Sequence, residues 1–197
     1  MELQTPSNDL VAIYIDKFEH DERYYPADKA IDKLIFCFPE NEELEDILLK
    51  VTAINRLYST SVYDVNNMAR HIWSKKIDKR LKDGDLYLVD IIAKGHYIKR
   101  QKTNKEIYCY SFATKYCNWH NKKSYPIYDS FVDRILVSYN KCSKFSNFVK
   151  EELRNYHRFN AIIADFVKHY SIVLNDLKEL DKFLWLYGKE KFGEDGD

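Results

Sequence analysis

The chain has 197 residues, with 31 basic and 31 acidic side chains, 45% hydrophobic residues, 15% aromatics, and only 5 Gly and 4 Pro. That composition excludes disordered, collagen-like and low-complexity chains. No stretch approaches the roughly 18–20 apolar residues of a bilayer span, and the opening MELQTPSNDL lacks the basic start and apolar run of a secretory leader.

In chain order, Leu10, Val11, Ile13, Tyr14 and Phe18 form a short amphipathic stretch, and Ala30, Ile31, Leu34, Ile35 and Phe38 a second. From Asn41, the positions Leu44, Ile47, Leu48, Val51, Ile54 and Leu57 keep the three-and-four spacing of a core-facing helix whose first turn is rich in Glu. Ser61 to Trp73 repeat that spacing with Val62, Val65, Met68, Ala69 and Ile72, and Gly84 and Gly95 bracket a short helix around Leu86 to Ile92. Residues 96–110 are too polar for a core helix and read as a loop or a short hairpin. Ser111 is placed to cap a helix over Phe112 to His120, and Pro126 with Asp129 or Ser130 opens another through Tyr139. Beyond Lys144 the pattern predicts helices to about Tyr187. The fold expected is all-α: one compact multi-helix domain over residues 1–190, with a frayed acidic tail over 191–197. Such a protein is expected to be cytoplasmic, with no membrane partner.

Zero net charge hides a segregation. Residues 1–50 hold 5 basic and 13 acidic side chains, residues 51–150 hold 19 and 8, and residues 151–197 hold 7 and 10. A basic centre over 51–150 is the footprint of a polyanion-binding surface, because Lys and Arg displace counterions condensed on phosphates. Its densest part carries Lys94, Lys99, Arg100, Lys102, Lys105, Lys115, Lys122 and Lys123 against Glu106 alone, interleaved with aromatic rings. The bland reading of the same run is a solvated basic face. Four cysteines without a C-x-x-C pair and six scattered histidines predict reduced thiols and no metal site.

The chemistry-bearing segment is SFATKYCNWHNKKSYPIYDSFVDRIL, residues 111–136. Lys115 lies among apolar neighbours that desolvate its amine, which favours a neutral nucleophile. Asp129 stands at a helix N-terminus, where free N–H groups keep a carboxylate ionised. Together they suit N-glycosidic cleavage: the carboxylate stabilises the oxocarbenium-like sugar while the amine attacks C1′ to form a Schiff base. Trp119, His120 and Tyr128 are candidates for a base pocket. The plain alternatives are that Asp129 only caps its helix, Lys115 snorkels to solvent, and most of the rings belong to the core.

INRLYSTSVYDVNNMARHIW at 54–73, followed about sixty residues later by FATK…PIYDS, resembles the helix-hairpin-helix DNA glycosylase superfamily, particularly its 8-oxoguanine DNA glycosylase branch. The resemblance covers about residues 44–140. It implies a role in filling the hole left by a flipped base for Asn55, Arg56 and Tyr58, a Schiff-base nucleophile in Lys115, and a catalytic carboxylate in Asp129. Two departures stand out. IYCYSFATK lacks the glycines with which the family's hairpin grips a phosphate, and Lys115 and Asp129 are only 14 residues apart. The implied function is a cofactor-independent DNA glycosylase or glycosylase/AP lyase acting on a modified base in duplex or single-stranded DNA, with Lys99, Arg100, Lys102, Lys122 and Lys123 on the backbone. The alternative is a non-catalytic nucleic-acid-binding module that retains the glycosylase fold. A third reading is a helical protein-interaction module working through the acidic ends.

Overall fold

A computed structural model describes residues 3–95 and 107–193. Within them the chain is all-helical, with ten α-helices, one 3-10 turn and no strand. The helices are α1 (Asn8–Glu19), α2 (Tyr25–Cys37), α3 (Leu44–Leu57), α4 (Val65–Lys75), α5 (Asp78–Asp83), α6 (Tyr87–Lys94), α7 (Tyr110–His120), α8 (Ser130–Ser143), α9 (Tyr156–His169) and α10 (Leu177–Phe192), with the 3-10 turn at Lys150–Arg154. Short polar side chains start half of the α-helices: Ser7, Asp64, Asp129, Asn155 and Asp176 accept from the free amides of α1, α4, α8, α9 and α10. The chain divides into two compact units, one made of Pro26–Tyr125 and the other of Met1–Tyr25 with Pro126–Asp197.

In the Pro26–Tyr125 unit, α7 is the central helix. Tyr110 and every residue from Phe112 to Trp119 are buried, and α3, α5 and α6 pack around it. A helix covered on all sides loses the polar face that marks a surface helix, which is why its buried set includes Thr114, Lys115 and Asn118. The expected cap Ser111 lies inside the helix, because α7 starts earlier, at Tyr110 with Cys109 as N-cap. The Cys109 amide donates to Ala93 O at 2.7 Å and ties that start to the end of α6. α5, which the apolar spacing does not reveal, buries only Leu81 and ends at Gly84, whose φ of +68° suits the left-handed cap. The expected loop or hairpin over 96–110 falls mostly outside the described residues.

In the other unit, α10 packs against α1 and α8. Tyr14, Tyr139, Phe183 and Tyr187 form its aromatic core, with Tyr14 edge-on to Tyr187 at 5.0 Å and Phe183 stacked on Tyr187 at 5.7 Å. α8 runs to Ser143 and α10 to Phe192, both beyond the ends predicted from the apolar spacing. Residues 194–197 of the expected tail lie outside the described residues.

Gly188 lets α10 approach the backbone of α8 closely. A Cβ there would stand 3.0 Å from the Phe131 carbonyl oxygen and 3.2 Å from Phe131 Cβ, and backbone cannot swing away as a side chain can. Gly188→Ala is therefore expected to lower stability by about 1–3 kcal/mol in urea unfolding, although alanine is the better helix former.

Candidate functional site

The C-terminal end of α3 and the C-terminal half of α7 come together in the Pro26–Tyr125 unit. Tyr58 lies 6.3 Å ring to ring from Trp119, and its hydroxyl donates to Asp28 on α2. Trp119 is 3% exposed and helps line an open groove of about 550 Å³ with Ile35, Phe36 and Cys37 of α2. Phe36 is 87% exposed at that groove. Lys122 holds its ammonium 4.7 Å from the Trp119 ring centroid and 2.6 Å from Asp32 Oδ1. Lys33 also lines the groove, so an apolar floor meets two lysines and one acid.

One turn before Trp119 on α7 is Lys115, 5% exposed, donating to Ser111 Oγ at 2.8 Å. Ser111, Lys115 and Trp119 share one face by the i, i+4 rule, so the buried amine and the groove-lining indole are neighbours on α7. Asp129 belongs to the other unit. It is the N-cap of α8, half-buried, with Oδ1 accepting the Phe131 amide at 3.1 Å. The capping expected of it is thus present.

The remaining candidates have defined places. Asn55 Nδ2 donates to Val62 O at 2.9 Å, while its Oδ1 accepts from Val62 N at 2.8 Å and Thr60 Oγ1 at 3.0 Å. That amide clasps its own loop, in which Ser59 and Ser61 hold left-handed φ values of 50° and 59°. Arg56 is exposed beside the loop. Tyr128 is 3% exposed in the Pro126–Asp197 segment, with the Arg154 guanidinium 4.8 Å from its ring centroid and Phe159 edge-on at 5.6 Å. With its ring so packed, Tyr128 serves the core here and offers no open stacking surface. Lys123 is exposed, and Lys99, Arg100 and Lys102 lie outside the described residues.

His120 caps the polar side of the same unit. Its Nε2 is buried without a hydrogen-bond partner among the described residues, and it lines a pocket of about 330 Å³ with Glu40, Asp78 and Asn121. Burial, then the Lys50 charge, pushes its pKa down to about 3 against the opposing Pro39 carbonyl, so the ring is neutral near pH 7.

Lys50 itself went unread in the sequence, although it occupies a core-facing position of α3 between Ile47 and Ile54. It is fully buried and donates to Phe38 O at 3.1 Å and Glu40 O at 2.6 Å. Desolvation lowers its pKa from 10.5 to about 8, with Asp78 and Asp46 opposing. Between pH 8 and 10.5 the unfolded chain therefore holds the extra proton and stability rises with pH; below 8 the cost of the buried charge is fully present. The stability difference between wild type and Lys50→Met should shift in favour of wild type by up to about 3 kcal/mol across that window, read from urea unfolding of both proteins at each pH. A difference that stays flat across the window contradicts the burial of an ionised amine.

The comparisons place this helical fold in a family. Residues 10–124 match the family described as HI_0787_N, N-terminal domain, and the chain belongs to it. It is 42% identical over 150 residues to an uncharacterized protein of Haemophilus influenzae, a match covering 76% of this chain and 69% of that protein. The matched domain ends at residue 124, one position before the first compact unit ends at Tyr125. No solved structure matches the chain with significance.

Proposed function

We propose that the protein binds DNA through the Pro26–Tyr125 unit and cleaves the N-glycosidic bond of a modified base. The observation that carries this reading is the α7 face on which a buried lysine, Lys115, lies one turn from Trp119, which lines an apolar groove together with Lys33 and Lys122. A buried amine is costly to keep in a core unless it is hydrogen-bonded. Charge supports the placement: residues 26–125 hold 18 basic and 13 acidic side chains, and the rest of the chain holds 13 and 18. In this reading the groove takes the extruded base against Trp119 and Phe36, and Lys115, once it has given up a proton, attacks C1′; the charge-stabilising role of Asp129 is what the resemblance implies and is tested on its own variant. The leaving base departs with the bonding pair. The Schiff base then allows β-elimination of the 3′ phosphate.

The same burial favours a second reading, a binding module without chemistry, because the Lys115 ammonium is already hydrogen-bonded to Ser111 and both hairpin glycines are missing. One experiment separates the two. Wild-type protein is incubated with duplexes carrying oxidised, alkylated or deaminated bases, and free base is measured along with the salt dependence of binding. Base release from any of them supports the enzyme; steep salt dependence without release supports the module; a flat log-log salt slope removes both.

A further inference from the structure

Little apolar contact holds α2 on the Pro26–Tyr125 unit. Of its 13 residues only Asp28 and Ile31 are buried, and one of those is a carboxylate, whereas the next helix, α3, buries Ile47, Val51 and Ile54 along its length. Two polar tethers add to this hold. Asp28 accepts from the Tyr58 hydroxyl just past α3, and Asp32, one turn further along the same face of α2, accepts from the Lys122 ammonium at 2.6 Å. Both donors lie against one ring. Tyr58 is 6.3 Å ring to ring from Trp119, and the Lys122 ammonium is 4.7 Å from the Trp119 centroid, which leaves that ring 3% exposed.

The two tethers differ in how easily they break. Asp28 is 3% exposed, whereas the side chains of Lys122 and Asp32 are 30% and 46% exposed. An ion pair that open to water contributes little to stability and is screened by salt, so it exchanges partners with other ions. A DNA backbone is such a partner. It carries many charges against the single one of Asp32, and Lys33 on the same groove draws the same phosphates. Once Lys122 has turned to a phosphate, the Asp32 carboxylate stands beside a polyanion and near the electron-rich face of an indole, and both repel it. A helix of 13 residues is moreover marginal in water without a surface to pack on, so an α2 that loses the Asp32 tether frays as it lifts.

We propose that Asp32 and Lys122 form a latch that a polyanion opens: phosphates of bound DNA take Lys122 from Asp32, the end of α2 that carries Phe36 lifts, and the Trp119 ring becomes available for stacking. The inference rests on the DNA binding proposed above and not on the cleavage. Asp28 and Tyr58, nearer the start of α2, hold the end about which it turns. Such a movement is what a stacking role for Trp119 requires, since a ring that is 3% exposed offers a base almost no surface until its cover shifts.

Native-state hydrogen exchange and fluorine NMR of the full chain test the latch, with a short unmodified duplex as the probe and all samples at one low salt concentration. With the duplex bound, the amides of residues 34–37 are expected to exchange about tenfold faster, while core amides of α7 such as Tyr116 keep their rates. The Trp119 resonance of 5-fluorotryptophan-labelled protein, assigned with Trp119→Phe, is expected to shift. Without DNA, Lys122→Gln should show the faster α2 exchange and the shifted resonance by itself, and the duplex should change it little further. Lys122→Arg keeps the charge and should behave as wild type. Wild-type exchange rates in Lys122→Gln mean that the pair does not hold α2, and overturn the proposal. Faster exchange through α3, α6 and α7 as well means that Lys122 only stabilises the fold, and overturns it too. A duplex that binds with a steep salt dependence but leaves α2 unchanged overturns the latch and spares the DNA-binding reading; no binding at any salt concentration removes both.

Discussion

Asp129→Asn is expected to slow base release by about 10²–10³-fold, the range seen when one preorganised electrostatic stabiliser is removed, while leaving α8 capped. The expectation separates two roles that coincide in one side chain. As an N-cap, Asp129 supplies an oxygen to the Phe131 amide, and asparagine supplies an equivalent one, so stability should change by only a few tenths of a kcal/mol. As a charge stabiliser, it supplies a full negative charge, which asparagine cannot. Asp129→Ala removes both and should add about 1 kcal/mol of destabilisation. Full activity in the Asn variant would reduce Asp129 to a cap.

Lys115→Gln is expected to abolish covalent capture of the protein on damaged DNA by borohydride while leaving Kd within about threefold of wild type. Glutamine is close in length, still bonds to Ser111 and carries no nucleophilic amine. The buried position cuts both ways. An amine that is 5% exposed must turn away from Ser111 to reach a sugar, so Ser111→Ala, which removes that bond, should speed capture rather than slow it. If wild-type protein forms no adduct but does release base, Lys115 is a structural amine and the chemistry is hydrolytic, with Asp129 acting alone.

How much of this was readable beforehand depended on the range of each interaction. α3, α4, α6 and the start of α8 follow from apolar spacing and capping side chains, which are local. α5 escaped because six residues with one buried leucine make no pattern, and α7 was placed late because its first turn is set by the bond from Cys109 to Ala93 rather than by Ser111. At the site, Lys115 and Trp119 were each singled out from the sequence, but for separate roles; that they share one face of α7 emerges only once the helix is placed. The commitment of Lys122 to Asp32, 90 residues away, and of Lys50 to the carbonyls of Phe38 and Glu40 was not legible either, since counting charges says nothing about which of them the fold will pair. The Asn55 clasp was hidden for a related reason. An asparagine in the last turn of a helix reads alike whether it faces a partner or the loop that follows.

The path of the chain through its two units sets an order of assembly during synthesis. α1 packs on α10, through partners such as Lys182 to Glu19 and Tyr14 to Glu190 that are 163 and 176 residues apart. The whole Pro26–Tyr125 unit is made between them. At about 5–20 residues per second, α10 follows α1 after roughly 8–35 s. Throughout that interval Leu10, Val11, Tyr14 and Phe18 form an apolar stripe on the nascent chain with its eventual cover not yet translated, while the inserted unit already has every residue it needs to fold. α1 is therefore made well before the helix that covers it and is among the last of these elements to be buried, which leaves a chaperone a long time to act on it.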